Sequence, residues 1–151
     1  MRRIRYIFIH CTGTKPGATV EALRRGFEAR GWSRPGYHYV IGTDGSVTQL
    51  LDEELIANGV MGYNSTSVHV AYIGGIDTRG RAADTRTQQQ KEQLRRLTAT
   101  LKSRYPEARV LGHRDISPDT NGNGRVDPEE RIKECPCYDV ASEGASGDRQ
   151  G

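Results

Sequence analysis

The feature of this sequence that most constrains its fold is a short apolar run close to the N-terminus. Residues 4–9 read Ile-Arg-Tyr-Ile-Phe-Ile, a nearly unbroken series of β-branched and aromatic side chains. Such a run is typical of a strand that is buried on both faces of a sheet, and sheets of that kind are covered by helices on either side. The run ends at His10. The chain is therefore predicted to carry an imidazole at the end of a central strand.

The rest of the chain supplies the other elements that such a sheet needs. Further strands are predicted at residues 37–41, 47–51, 68–73 and 109–112. The first two flank a loop with Asp44-Gly45, a strong signal for a hairpin. One helix is predicted after Thr19, and a second after Thr87, which forms a capping box with Gln90. Strands that alternate with helices, plus one hairpin, predict an α/β fold with a mixed central β-sheet flanked by helices.

Length, charge and hydropathy exclude several classes of protein. The 151 residues fit one domain, which we expect to span residues 1–140, and the small polar residues 141–151 are typical of a disordered tail. No apolar run approaches the ~20 residues that cross a bilayer, and the N-terminus lacks the apolar stretch of a secretion signal. We therefore expect synthesis in the cytoplasm and no membrane anchor. The net charge of +3 is too small to predict a nucleic-acid partner.

Two predicted strands end at a histidine, His10 and His113. If these strands are parallel neighbours, both imidazoles emerge at the carboxyl edge of the sheet, where α/β folds place functional groups. A thiolate from Cys135 or Cys137 would complete a set of two nitrogens and one sulfur, which suits a catalytic zinc ion. Taken singly, each residue also fits a strand-end histidine or a small buried cysteine. With Cys11, the cysteines are odd in number, so we expect no disulfide framework.

Two further histidines are not predicted to be ligands. His38 alternates with Tyr37 and Tyr39 along its strand and so faces away from both of them. His69 lies in the middle of a strand, between Val68 and Val70. His38 is therefore predicted to be a core or structural residue, and His69 is given no role.

Seven short segments follow one another in a recognisable order along residues 9–139. They are Ile9-His10-Cys11-Thr12-Gly13-Thr14, Gly36-Tyr37-His38-Tyr39, Thr43-Asp44-Gly45, Gly62-Tyr63-Asn64, Ile73-Gly74-Gly75-Ile76-Asp77, Gly112-His113-Arg114 and Lys133-Glu134-Cys135-Pro136-Cys137-Tyr138-Asp139. The series resembles the landmarks of the zinc-dependent N-acetylmuramoyl-L-alanine amidases of the phage lysozyme type, which are related in fold to the peptidoglycan recognition proteins. The resemblance implies the mixed sheet of that fold.

The resemblance also implies roles for individual residues. It places zinc on His10, His113 and Cys135, since Cys135 is the cysteine before the proline of the family pattern, and it assigns catalysis to Tyr37 and Lys133. The implied reaction is hydrolysis of the amide between N-acetylmuramic acid and L-alanine in bacterial peptidoglycan by a zinc-activated water. We accordingly expect a monomeric endolysin that acts at the cell wall. A non-catalytic peptidoglycan-binding module on the same fold remains an alternative.

One segment departs from the family pattern. Residues 119–130 match the calcium-loop template D-x-[DN]-x-[DN]-G-x5-E, with Gly124 at the sharp turn. The predicted calcium ligands are Asp119, Asn121, Asn123, Arg125 through its carbonyl, Asp127 and Glu130. We hypothesise that calcium stiffens the span from His113 to Lys133 and Cys135. The alternatives are a polar turn without an ion, and a calcium-regulated interaction domain in which zinc is only structural.

Overall fold

A computed structural model describes residues 2–60, 62–116, 135–138 and 140. Within them the chain forms β1 (Tyr6–Cys11), α1 (Val20–Ala29), β2 (Tyr39–Ile41), β3 (Val47–Gln49), β4 (Ser67–Tyr72), α2 (Gln88–Arg104) and β5 (Arg109–Gly112). Two short 3-10 turns lie at Asn64–Thr66 and His113–Ile116. Neither α1 nor α2, the α-helices of this part of the chain, has the length and apolar character to cross a membrane.

The five strands of the described residues form one mixed sheet in the order β3-β2-β4-β1-β5. β1 pairs in parallel with both β4 and β5, and β2 pairs in parallel with β4. β3 is antiparallel to β2 and closes the predicted hairpin. The predicted α/β fold with a mixed central sheet is confirmed.

β1 lies inside the sheet and is covered on both faces, as its apolar run predicts. Its odd-numbered residues, Ile7, Ile9 and Cys11, join the core cluster that includes Leu94 and Leu101 of α2. The opposite face of the sheet packs against α1 in a smaller cluster, which contains Leu23, Val40, Ala71 and Ile73. Since side chains alternate along a strand, Phe8 and His10 lie on the α1 face.

Both helices begin at the predicted caps. Thr19 accepts a hydrogen bond from the Ala22 N–H at the start of α1, and the capping box of Thr87 and Gln90 is complete at the start of α2. The buried Gln90 amide also donates to the carbonyls of Ile41 and Ile73, at 3.1 and 3.0 Å. These two bonds attach the start of α2 to the carboxyl edge of the sheet.

The hairpin strands are shorter than the sequence predicts. β2 begins at Tyr39 and β3 ends at Gln49, whereas the apolar runs extend from 37 and to 51. Both Leu50 and Leu51 donate their N–H groups to the His38 carbonyl, at 2.7 and 3.4 Å. Because two donors share one acceptor there, the regular ladder ends at that point.

Candidate metal centre

His10 and His113 lie side by side at the carboxyl edge of the sheet. The parallel register pairs Ile9 of β1 with Gly112 of β5, so the two histidines follow paired residues. Their ring centroids are 5.0 Å apart, and the ring planes are inclined at 74°. His10 is buried, at 1% exposure, whereas His113 is partly exposed. The structure thus brings together the imidazoles that the sequence predicts to meet if β1 and β5 are parallel neighbours.

The Cys135 thiol reaches the same place from a distant part of the chain. Its Sγ lies 3.8 Å from His10 Nδ1 and accepts a hydrogen bond from the Cys11 N–H at 3.2 Å. The Arg114 N–H donates to the Cys135 carbonyl at 2.8 Å, which joins Cys135 to the turn that begins at His113. One ligand atom each from His10, His113 and Cys135 all lie within 4.8 Å of one another.

This donor set fits a zinc ion. Zinc bonds of about 2.3 Å to sulfur and about 2.0 Å to nitrogen place tetrahedral donors about 3.5 Å apart, close to the observed separation of Cys135 Sγ and His10 Nδ1. Three protein donors of the imidazole and thiolate type, with one position left for water or substrate, characterise catalytic rather than structural zinc sites. His113 and Cys135 are both partly exposed. Substrate can therefore approach from their side.

Gly112 allows the Cys135 segment to approach the end of β5. A Cβ at this position would lie 2.8 Å from Pro136 Cδ and 3.0 Å from Val140 Cγ2, closer than side chains normally pack. The Tyr72 hydroxyl donates to the Pro136 carbonyl at 2.6 Å and holds the same segment against the sheet. The third donor is thus placed by packing between segments remote in sequence.

Tyr37 lies against the histidine pair. Its ring centroid is 5.2 Å from that of His10, and its hydroxyl donates to the Cys11 carbonyl at 3.3 Å. Burial raises the pKa of the Tyr37 phenol, and the nearby Cys135 and Cys11 raise it further. The phenol therefore keeps its proton near neutral pH and is available as a hydrogen-bond donor.

The other two cysteines lie beside the donor set. The Cys11 side chain points to the α2 face, and its Sγ is 4.0 Å from Cys137 Sγ. A hydrogen bond with Cys135 raises the pKa of the Cys11 thiol to about 12, and burial contributes to the rise. Cys137 Sγ lies 3.7 Å from the Gly75 carbonyl oxygen. The donor group found in the described part of the chain contains Cys135 and not Cys137.

His69, which was not predicted to take part in the site, lies directly beside it. Its Nδ1 lies 2.9 Å from His10 Nε2, and the imidazole is fully buried. The strand pattern contained a usable signal, because a histidine flanked by Val68 and Val70 puts a polar ring on one face of a buried strand. His38 is also fully buried, as expected of a core residue.

Several predicted site residues lie outside the described residues. Lys133, the second predicted catalytic residue, falls within 117–134, as does the whole calcium template at 119–130. The tail at 141–151 is likewise outside them. These assignments stay predictions.

Comparison with known proteins identifies the family. The family model for N-acetylmuramoyl-L-alanine amidase matches residues 1–130. The endolysin of Klebsiella phage KP32 is 35% identical over 136 residues, which cover 89% of this chain and 81% of the relative. The chain belongs to the N-acetylmuramoyl-L-alanine amidase family. The resemblance predicted from the seven segments is thereby confirmed.

Solved structures agree with this family in fold. The Ph2119 endolysin from the Thermus scotoductus MAT2119 bacteriophage matches with a TM-score of 0.72 and 24% identity, covering 97% of this chain and 86% of that one. Drosophila PGRP-LB matches with a TM-score of 0.68 and 23% identity, covering 97% and 82%. This chain therefore has the fold that these proteins share.

Proposed function

We propose that this chain is a zinc-dependent N-acetylmuramoyl-L-alanine amidase that hydrolyses the amide between the lactyl group of N-acetylmuramic acid and L-alanine in bacterial peptidoglycan. The observation that carries the proposal is the convergence of donor atoms from His10, His113 and Cys135 within 4.8 Å, in a chain of the amidase family. The similarity to a phage endolysin supports the bacterial cell wall as the place of action.

The three donors would hold the ion at the open edge of the sheet. A zinc ion bound by three protein ligands supplies a Lewis acid and an activated water at neutral pH. His10 contributes Nδ1, the ring nitrogen that faces Cys135 Sγ, and its burial keeps that ligand rigid. His113 and Cys135 form the exposed side, where the scissile amide must enter.

Tyr37 is proposed to stabilise the charge that develops during attack on the amide. Addition to the carbonyl puts negative charge on its oxygen, and a preorganised hydrogen-bond donor lowers the energy of that state. The Tyr37 hydroxyl is protonated and lies at the site, where its present acceptor is the Cys11 carbonyl. A partner 3.3 Å away is held weakly enough to be exchanged for the substrate oxygen.

The leaving amine of L-alanine must gain a proton before it departs. We propose that Tyr37 or Lys133 gives the amine a proton and recovers one from the attacking water, and that the ammonium of Lys133 also supplies positive charge near the carbonyl. The role of Lys133 is taken from the family resemblance, because Lys133 stands two residues before Cys135, as the catalytic lysine does in the family pattern.

The proposal is tested on purified peptidoglycan with zinc-loaded and chelator-treated protein. We expect new free amino groups on L-alanine without new reducing sugar ends, loss of release after chelation and recovery with zinc. Cys135→Ser should abolish release, whereas the matched variant Cys137→Ser should retain it. Binding to peptidoglycan without any release by the zinc-loaded protein would contradict the proposal and favour the recognition module.

A further inference from the structure

We propose that His69 is a positioning residue, which accepts a hydrogen bond from His10 Nε2 and so presents His10 Nδ1 to the metal. The inference rests on the proposed function, because it gives His69 a role toward the zinc ion of that site. It concerns a residue outside the donor set and outside the pair of predicted catalytic residues.

The two ring nitrogens of His10 face different partners. Nδ1 lies 3.8 Å from Cys135 Sγ, on the side of the donor set, whereas Nε2 lies 2.9 Å from His69 Nδ1. A neutral imidazole carries one proton, so a ligand that binds through Nδ1 must keep its proton on Nε2. That N–H is buried and needs an acceptor. His69 Nδ1 is within hydrogen-bond distance and can accept it.

Such an outer hydrogen bond has a known chemical effect. It fixes the tautomer of the liganding ring, sets its orientation and raises its basicity. For His10 this means that the lone pair of Nδ1 points at the shared position even before an ion arrives.

The neighbours of His69 hold its ring in one orientation. The ring stacks on Phe8, with centroids 5.7 Å apart, and on His38, with centroids 5.9 Å apart. The His69 N–H donates to His38 Nδ1 at 3.0 Å, and because a backbone N–H can only donate, the His38 proton lies on Nε2. That Nε2 lies 2.8 Å from the Leu55 carbonyl, its acceptor. His38 therefore has one tautomer and anchors the strand at His69.

Gly59 provides the space for the His69 ring. A Cβ at this position would lie 2.4 Å from His69 Nδ1 and 2.6 Å from its Cγ and Cε1, too close to be accommodated without movement. The displaced atom would be the nitrogen that faces His10. The loop that contains Gly59 is thus shaped around the acceptor.

Packing alone does not account for an imidazole at this position. His69 Nε2 is buried and has no hydrogen-bond partner among the described residues. Burying a polar ring with one nitrogen unpaired costs free energy, so an apolar side chain would serve the core better. The contact with His10 is the one that makes use of a ring nitrogen of His69.

Zinc affinity of the metal-free protein, measured by competition with a chromophoric chelator, tests this role apart from activity. His69→Phe keeps a ring but removes the acceptor, and we expect the zinc affinity to fall about 10- to 100-fold. His69→Asn can place an amide oxygen where Nδ1 lies, and should recover most of the affinity. The control is Val68→Ala, a buried change in the same strand on the opposite face, which should leave the affinity within about threefold of the wild type.

Three outcomes of the affinity measurement would overturn the inference. The first is a zinc affinity of His69→Phe equal to that of the wild type. The second is a loss of zinc affinity in His69→Asn as large as that in His69→Phe. The third is a loss in Val68→Ala as large as that in His69→Phe. Wild-type protein that binds zinc and cleaves peptidoglycan alongside any of these would leave the proposed function intact. Wild-type protein that binds no zinc would overturn both.

Nitrogen-15 NMR of the zinc-loaded wild type decides the matter even if His69→Phe does not fold. We expect His10 Nε2 to carry a proton and His69 Nδ1 to carry none. A spectrum with His10 Nε2 unprotonated contradicts the inference.

Discussion

Cys135 and Cys137 are separated by one proline, yet their thiols have different surroundings. Cys135 Sγ lies 3.8 Å from His10 Nδ1, whereas Cys137 Sγ lies against Cys11 and the Gly75 carbonyl. We therefore expect Cys135→Ser to lower the zinc affinity by about 100-fold or more, which exceeds the usual effect of removing a hydrogen-bond partner of a ligand. Metal analysis of the purified variants after dialysis against zinc measures this directly.

The matched variant for that prediction is Cys137→Ser. It removes a thiol of similar exposure from the same turn, and one equivalent of zinc should remain bound. Zinc retained by Cys135→Ser and lost by Cys137→Ser would reverse the assignment of the sulfur ligand.

Removal of the Tyr37 hydroxyl should affect catalysis rather than metal binding. Tyr37→Phe keeps the ring beside His10 but deletes the donor that we place on the developing negative charge. We expect kcat to fall by about 100-fold, as for the loss of one oxyanion donor, with zinc content unchanged. Steady-state kinetics on soluble wall fragments supply the measurement. A raised KM with unchanged kcat would instead assign Tyr37 to substrate binding.

The sequence predicted the place of the donor set better than its surroundings. The apolar runs place His10 and His113 close to the carboxyl ends of their strands, and parallel pairing brings the two histidines together. The contact between His10 and His69 depends on the register of β1 against β4, which pairs Phe8 with His69 and His10 with Ala71. No local sequence pattern fixes that register, so the sequence alone does not predict a role for His69.

Among the elements, the C-terminus of α2 is tied to the hairpin through one buried carboxylate. Glu53 forms an ion pair with Arg104 and accepts hydrogen bonds from the hydroxyls of Tyr39 and Tyr105. Burial raises the pKa of this carboxyl, but the bonds from its three partners lower it by more, so it lies below the usual 4.5. These contacts link elements that do not follow one another in sequence.

The lowered pKa of Glu53 makes a stability contribution that depends on pH. The unfolded chain takes up a proton first as the pH falls, so the contribution is complete well above pH 4.5 and is lost as the pH falls through the folded-state pKa. At pH 7, Glu53→Gln should lower the free energy of unfolding by about 1–3 kcal/mol, because the substitution removes the charge that pairs with Arg104 and replaces one of the two acceptor oxygens by an NH2 donor. Urea unfolding at pH 7 and near pH 3 should show this difference shrinking in acid.

The control for Glu53→Gln is Glu107→Gln, which neutralises an exposed carboxylate that follows α2. It should change the free energy of unfolding by less than about 0.5 kcal/mol at either pH. A Glu53→Gln difference that persists undiminished at low pH would show that the carboxylate charge is not what stabilises the link.

Local sequence signals set the starts of the helices, while tertiary contacts set the limits of the hairpin strands. Thr19 and Thr87 begin their helices as predicted, since a cap acts on its own first turn. The start of β2 and the end of β3 depend on the carbonyl of His38, which two N–H groups share. That arrangement forms only when the hairpin folds, and no residue type in the sequence predicts it.

At the scale of the whole molecule, the donor set draws on residues 10, 113 and 135, and folding must complete before they meet. Zinc that binds the folded form and not the unfolded form stabilises the folded protein by mass action. The free energy of unfolding rises by about 2.7 kcal/mol when the free zinc concentration is 100 times Kd. We expect zinc to raise the Tm of the metal-free wild type and to leave that of Cys135→Ser nearly unchanged. Scanning calorimetry with and without zinc measures both. A zinc-dependent rise of equal size in Cys135→Ser would show that the stabilising ion binds elsewhere.

The calcium template at 119–130 makes a separate prediction for the same molecule. Its matching positions predict that the segment binds calcium, with Glu130 as the bidentate ligand that the template requires. Added calcium should give a binding isotherm in titration calorimetry and a further rise in Tm, and Glu130→Gln should remove both while keeping the response to zinc. Glu134→Gln, a change of the same type beyond the template, is the control and should bind calcium normally. If chelator-treated wild type shows neither heat nor a shift in Tm with calcium, the segment is a polar turn, and the link between His113 and Cys135 is held without an ion.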